Sequence, residues 1–284
     1  MHEQSVGVKA NRVAFQGENG SFSEDAVLKF FGQAQPVPLP NFAAVFEAVA
    51  TGEMDAGVVP VENSQAGSIN DTYDLLLKHN LNIIGEVYLR VRHCLLALPG
   101  ETLESVRKIY SHPQALAQCQ EFLSGLKAEL VPTYDTAGSA KMIKQQGLRN
   151  AAAIASKRVS EIYGMEILAE GIETNPRNYT RFFVIAQGKA GQAESSKTSL
   201  VFRTRNIPGA LYQSLGAFAT RGINLSKLES RPAKDMPWEY IFYVDFEGHA
   251  DDKTCKQALD ELQTKCVFLR ILGSYPQNLD RGTN

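Results

Sequence analysis

At 284 residues the chain exceeds the roughly 100 to 200 that one ordinary domain needs, and an apolar share of 44% is enough for two cores. Lysine and arginine total 29 against 31 aspartates and glutamates, a balance that excludes the electrostatic footprint of a nucleic-acid or membrane-surface binder. No apolar run approaches the roughly 20 residues that span a bilayer, which excludes a membrane helix.

The start, MHEQSVGVKANR, lacks the basic and apolar stretches of a secretory signal. Cys94, Cys119, Cys255 and Cys266 form no C-x-x-C pair and sit in apolar segments, so reduced thiols in a cytoplasmic setting are expected. The five histidines include no H-E-x-x-H and no cysteine cluster, so no metal site is expected.

In chain order, short β-branched runs alternate with amphipathic stretches of about a dozen residues. Strands are predicted at 13–16, 56–61, 93–98, 108–111, 130–133 and 152–155, and helices at 24–31, 42–50, 69–78, 113–126 and 136–146. This alternation predicts an α/β architecture with largely parallel sheets. Residues 186–196, AQGKAGQAESS, carry no large apolar side chain and read as a linker. Beyond it the pattern is strand 199–203, helix 209–221, strands 224–230 and 240–246, helix 252–264 and strand 267–272. That order is the βαββαβ of a ferredoxin-like unit.

Three helix starts show a hydroxyl residue followed three positions later by a carboxylate or amide: Ser21 with Glu24, Ser68 with Asp71, and Ser111 with Gln114. Each reads as a capping box, and a helix N-terminus with unused N–H groups can receive an anion. Capping boxes also occur wherever a helix must satisfy its first amides. The company they keep favours a site, because Glu62, Asn63 and Ser64 follow the strand 56–61 at its carboxyl end, where α/β sheets bind ligands. Near the linker, Asn178-Tyr179-Thr180-Arg181-Phe182 enters a strand. Thr180 offers a hydroxyl for a leaving group and Arg181 a bidentate partner for a carboxylate.

Read together, GENGSFSEDA (17–26), VPVENSQAGS (59–68), SHPQALAQC (111–119) and NYTRFFV (178–184) resemble the prephenate dehydratases. GALY (209–212) and ESRP (229–232) resemble the phenylalanine-binding motifs of ACT regulatory domains. The resemblance implies a catalytic domain over 1–188, made of two α/β lobes like a periplasmic binding protein. One lobe covers about 1–94 and 174–188, the other about 95–173, and an ACT domain covers 197–276. It implies conversion of prephenate to phenylpyruvate, carbon dioxide and water without a cofactor, feedback by L-phenylalanine, and a homodimer or homotetramer.

Residue by residue, the resemblance makes Thr180 the catalytic threonine and Arg181 the substrate anchor, with Glu62, Asn63, Ser64, Ser111 and Gln118 completing the polar set. Ser111 and Gln118, seven positions apart, are expected on one helix. Ser21, Phe22, Ser23, Asn178 and Phe182 are expected to touch substrate. The effector is expected at Gly209, Ala210, Leu211, Asn224, Leu225, Ser226, Glu229, Ser230, Arg231 and Pro232. Three alternatives stay open: Glu62 as proton source, arogenate as substrate, and a two-lobed solute sensor without catalysis.

Overall fold

The computed structural model describes residues 10–233 and 236–279. Its elements run β1 (Arg12–Gln16), α1 (Phe22–Phe31), β2 (Gln35–Leu39), α2 (Phe42–Ala50), β3 (Ala56–Asn63), β4 (Gly67–Ser68), α3 (Asn70–Lys78), β5 (Asn82–Arg90) and β6 (Cys94–Ala97). Then follow β7 (Lys108–Ser111), α4 (Pro113–Gln118), α5 (Gln120–Ser124), β8 (Glu129–Pro132), α6 (Thr136–Gln146), β9 (Ala151–Ala155), α7 (Arg158–Tyr163), β10 (Glu166–Glu170) and β11 (Tyr179–Ala186). The chain ends with β12 (Ser196–Arg203), α8 (Ala210–Ala219), β13 (Leu225–Pro232), β14 (Tyr240–Glu247), α9 (Lys253–Lys265) and β15 (Phe268–Pro276).

Two compact units result. One holds residues 10–79 and 87–183, the other 80–86 and 184–279. The first contains two α/β lobes. In lobe 1 the sheet order is β2-β1-β3-β11-β5, with β4 paired to β3; in lobe 2 it is β10-β6-β9-β7-β8. Both sheets are mixed, where largely parallel ones were expected. Strand β6 runs against β9 and β10, while β7 is parallel to β8 and β9. The reversal has a topological cause: β6 is the strand by which the chain arrives from lobe 1, before the βαβ repeats of lobe 2 begin.

Strand β9, Ala-Ala-Ala-Ile-Ala, is buried along its whole length. Ala151, Ala153 and Ala155 pack with Ala137, Ala140 and Ile143 of α6, while Ala152 and Ile154 pack with Ile109 and Leu95 on the other face. The period of two puts small residues under a closely seated helix and makes β9 the spine of its lobe.

The second unit carries the βαββαβ order read from the sequence. Its sheet is β13-β14-β12-β15, antiparallel throughout. Leu200, Phe202, Val244 and Phe246 face the helices and pack on Phe218, Ala258 and Leu262. On β15, Gly273 meets the chain of Ile83, and a Cβ there would clash with the Ile83 carbonyl oxygen and amide nitrogen. Lys197 and Glu86, both buried in this unit, pair at 2.6 Å. No helix among the described residues is long and apolar enough to cross a membrane.

Candidate active site

A cavity of about 450 Å³ opens within the first unit, between its lobes. Five helices present their N-terminal ends to it: α1 through Ser21 and Ser23, α2 through Asn41, α3 through Ile69, α4 through Gln114, and α6 through Thr136. The caps are built locally. Ser21 Oγ accepts from the Glu24 N–H, Asn41 Oδ1 from the Ala44 N–H, and Asp135 Oδ1 from the Gly138 N–H. Each cap satisfies part of a first turn and leaves other amides without an intrahelical acceptor. None of the described residues lining this cavity is a lysine or arginine. An anion here meets main-chain dipoles, whose positive ends act together.

Two of the three capping boxes are not formed. Ser68 lies in β4, and the N-cap of α3 is Ile69, which makes no side-chain cap bond. Ser111 ends β7, and the N-cap of α4 is His112, whose ring Nδ1 accepts from the Gln114 N–H. Ser111 and Gln118 therefore do not share a helix. The Ser111 hydroxyl is buried and donates to the Ile154 carbonyl at 2.7 Å, tying the end of β7 to β9, and Ser111 is not among the residues lining the cavity. The helix expected over 113–126 is broken at Cys119 into α4 and α5.

At the floor of the cleft three amides close a ring. Asn63 Nδ2 donates to Asn178 Oδ1 at 2.9 Å, Asn178 Nδ2 donates to Gln118 Oε1 at 2.9 Å, and Gln118 Nε2 returns to Asn63 Oδ1 at 3.4 Å. The orientation of Asn63 is fixed independently, because its Oδ1 also accepts from the Gln65 and Ala66 N–H groups, both at 3.0 Å. Its amino group consequently faces Thr180 and donates to Oγ1 at 2.9 Å. His93 Nε2 contacts the same Gln118 Oε1 at 2.9 Å, so the ring nitrogen carries the proton and donates. Burial pushes the His93 pKa down, against weaker upward pulls from Gln118 and Glu173, which keeps the imidazole neutral.

Thr180 and Phe182 face the cavity, as do Asn63, Gln118, Ser21, Phe22 and Ser23. Arg181 does not. On a strand, neighbours point to opposite faces, and Arg181, 5% exposed, lies with its Cζ 4.7 Å from the Phe183 ring centroid and 5.9 Å from that of Tyr88. That placement sets the guanidinium beside aromatic rings, while the residues that line the cavity include the helix ends. Ser64 is spent on structure, donating to the Arg177 carbonyl and accepting from the Tyr179 N–H, and Glu62 pairs in register with Ser68. Neither lines the cavity.

Sequence reasoning missed His93, Asn41 and Asp135. Only the last two carried a signal, as polar residues heading amphipathic helices.

In the second unit, Gly209 caps α8, and Ala210 and Leu211 form its first turn. Leu225, Ser226 and Glu229 to Pro232 lie along β13, an edge strand whose burial alternates, with Asn224 just before it. Glu229 pairs with Lys227 at 3.0 Å, and the Arg231 guanidinium lies 6.0 Å from the Tyr243 ring centroid.

Comparison with known proteins follows the same lines. The family model described as prephenate dehydratase matches residues 13–190. Arogenate dehydratase/prephenate dehydratase 2, chloroplastic, of Arabidopsis thaliana is 45% identical over 276 residues, covering 93% of this chain and 72% of its own. The prephenate dehydratase of Arthrobacter aurescens, solved in complex with L-Phe, superposes with a TM-score of 0.87 at 33% identity, over 95% of this chain and 91% of that one. A structure described as GqqA, a novel type of quorum quenching acylases, matches with a TM-score of 0.87 at 37% identity, over 95% and 99% of the two chains.

Proposed function

The chain belongs to the prephenate dehydratase family, carbon–oxygen lyases of phenylalanine biosynthesis, and on that footing we propose that Thr180 protonates the hydroxyl leaving prephenate. The observation that carries this reading is the Asn63 amide, whose N–H occupies a lone pair of Thr180 Oγ1 and leaves the hydroxyl proton to be given elsewhere. The same N–H stabilises the negative charge that grows on Oγ1 as the proton departs.

Loss of water and carbon dioxide makes an aromatic ring, which drives the reaction. The protein has to hold the substrate, aim one proton and keep the breaking bonds aligned. Helix ends of α1 and α6 hold the pyruvyl carboxylate. The carboxylate that departs as neutral carbon dioxide sits against Phe22 and Phe182, where less stabilisation of the anion favours its loss.

Acyl transfer, the activity named for GqqA, fits the cleft less well, because it needs a nucleophile beside a base. Here His93 engages Gln118 and His112 accepts from a backbone amide. A solute sensor would have no use for the oriented Thr180 hydroxyl. In this reading residues 1–188 carry the dehydratase in a cytoplasmic protein, and 197–276 form an ACT domain that binds L-phenylalanine across a homodimer or homotetramer. The L-Phe complex of the Arthrobacter aurescens relative supports the effector.

The test is Thr180→Ala assayed by the alkaline absorbance of phenylpyruvate. Turnover at least ~100-fold lower with little change in KM is expected; retained turnover would reject Thr180 as the donor.

A further inference from the structure

A cleft for a substrate with two carboxylates holds a buried carboxylate of its own. Asp135 lines the cavity and is 8% exposed. Its Oδ1 accepts from the Gly138 N–H at 3.0 Å as the cap of α6. Its Oδ2 faces Gly17, where an added Cβ would stand 2.9 Å from that oxygen and 3.6 Å from Ser21 Oγ. Gly17 has φ +117°, so the backbone as well as the space calls for glycine, and the corner stays open.

Ser21 caps α1 and Asp135 caps α6, so the corner sets two helix N-termini around one carboxylate. That pairing matches an α-amino acid: main-chain amides take its carboxylate, and the aspartate takes its ammonium. A substrate with a keto group in place of the ammonium needs a hydrogen-bond donor at the same point. A protonated aspartic acid is one.

We propose that Asp135 reads the three-carbon side chain of the substrate, pairing as a carboxylate with an α-ammonium and donating as an acid to an α-keto oxygen, and so sets the balance between arogenate and prephenate. This rests on the proposed function, with Thr180 at the ring hydroxyl. The hydroxyl and the side chain are para to each other, so the residue that reads the side chain must stand apart from the Thr180 network. Asp135 is bonded within α6 and next to Gly17, outside the ring of Asn63, Gln118 and Asn178.

Its carboxyl is held above the ordinary carboxylate value, burial being the largest cause. Burial pushes its carboxyl up, the Gly138 and Ala137 amides pull it down, Glu18 pushes it up and His112 pulls it down. Tyr134 and Lys141 also face this corner through their bonds to Glu18, and Tyr163 feels the Asp135 charge. As pH rises through its titration, the ionised form gains and arogenate is favoured.

The experiment measures kcat/KM on prephenate and on arogenate for wild type and Asp135→Asn between pH 5.5 and 8.5. Asparagine keeps the helix cap, so the fold is retained. The expected result is an arogenate-to-prephenate ratio of kcat/KM at least roughly tenfold below that of wild type. The wild-type arogenate-to-prephenate ratio rises with pH, and that of the variant is flat. Equal losses on both substrates, or a pH-independent ratio in active wild type, overturn the selector, and the second readout needs no variant. Absence of wild-type turnover on either substrate overturns the proposed function, and the selector with it.

Discussion

Asn63 uses both ends of its amide: the carbonyl holds the Gln65 and Ala66 N–H groups, and the amino group holds Thr180 and Asn178. The two halves separate by mutation. Asn63→Asp keeps the acceptor but loses the donor, so it should retain most of the stability while turnover falls about 10- to 100-fold. Asn63→Ala strands the loop amides as well and should cost about 1 to 3 kcal/mol in addition. Steady-state kinetics beside denaturant unfolding distinguishes them, and an Asn63→Asp enzyme with full turnover would remove the amide from the mechanism.

Burial, opposed by Arg158 and reinforced by Glu24, raises Asp25 from 3.8 to about 6. A carboxyl whose folded pKa exceeds its unfolded one favours the fold fully below pH 3.8, and that contribution is lost as pH rises through about 6. Asp25→Asn should match wild type at pH 3.5 and exceed it by about 1 to 2 kcal/mol at pH 8, read by urea unfolding. Equal stability at pH 8 would show the carboxyl to be unperturbed.

At this scale Asn63 and Thr180 could be read as polar side chains beside apolar strand runs, whereas Gln118 came only with the family resemblance. Arg181 could be read only by applying the strand period to Thr180-Arg181-Phe182, which already separates the arginine from its neighbours.

Among elements, sequence patterns placed strands and helices better than they placed caps. A hydroxyl residue three positions ahead of an acid or amide is shared by true caps such as Ser21 and by strand residues such as Ser68 and Ser111. Only the backbone conformation tells them apart. Strands β2, β5 and β10 were not anticipated: proline interrupts β2, while β5 and β10 carry charged residues within them, which weakens the apolar signal.

The meeting of β15 with β5 was likewise invisible, since a glycine advertises no partner. At Gly273 the neighbour is backbone, which cannot turn aside as a side chain would. Gly273→Ala should destabilise the protein by about 1 to 3 kcal/mol or more, measured as a lowered thermal midpoint. A neutral result would mean that the two strands separate without cost.

For the whole molecule, the residues proposed for the effector pose a problem of reach. Gly209 to Leu211 open α8, while Asn224 to Ser226 follow its far end, and ten helical residues extend about 15 Å. One amino acid cannot touch both sets within a protomer, but an isologous interface can bring them together. L-phenylalanine should therefore raise the sedimentation coefficient and lower the rate together. An unchanged profile and unchanged activity would remove it as effector.

The linker at 186–196 was legible from composition, and the two units divide shortly before it, between 183 and 184, and again at both ends of 80–86. Residues 80–86 are distant in sequence from the unit that claims them, and no local pattern announces such an exchange. Ile83 lies under Gly273, and Glu86 takes Lys197 and the Asn278 N–H. Anyone splicing the sensing half of one relative onto the dehydratase of another at the obvious joint would leave seven residues behind. Such a graft would inherit a lysine facing a stranger, and a working chimera has to exchange two separate stretches of the gene.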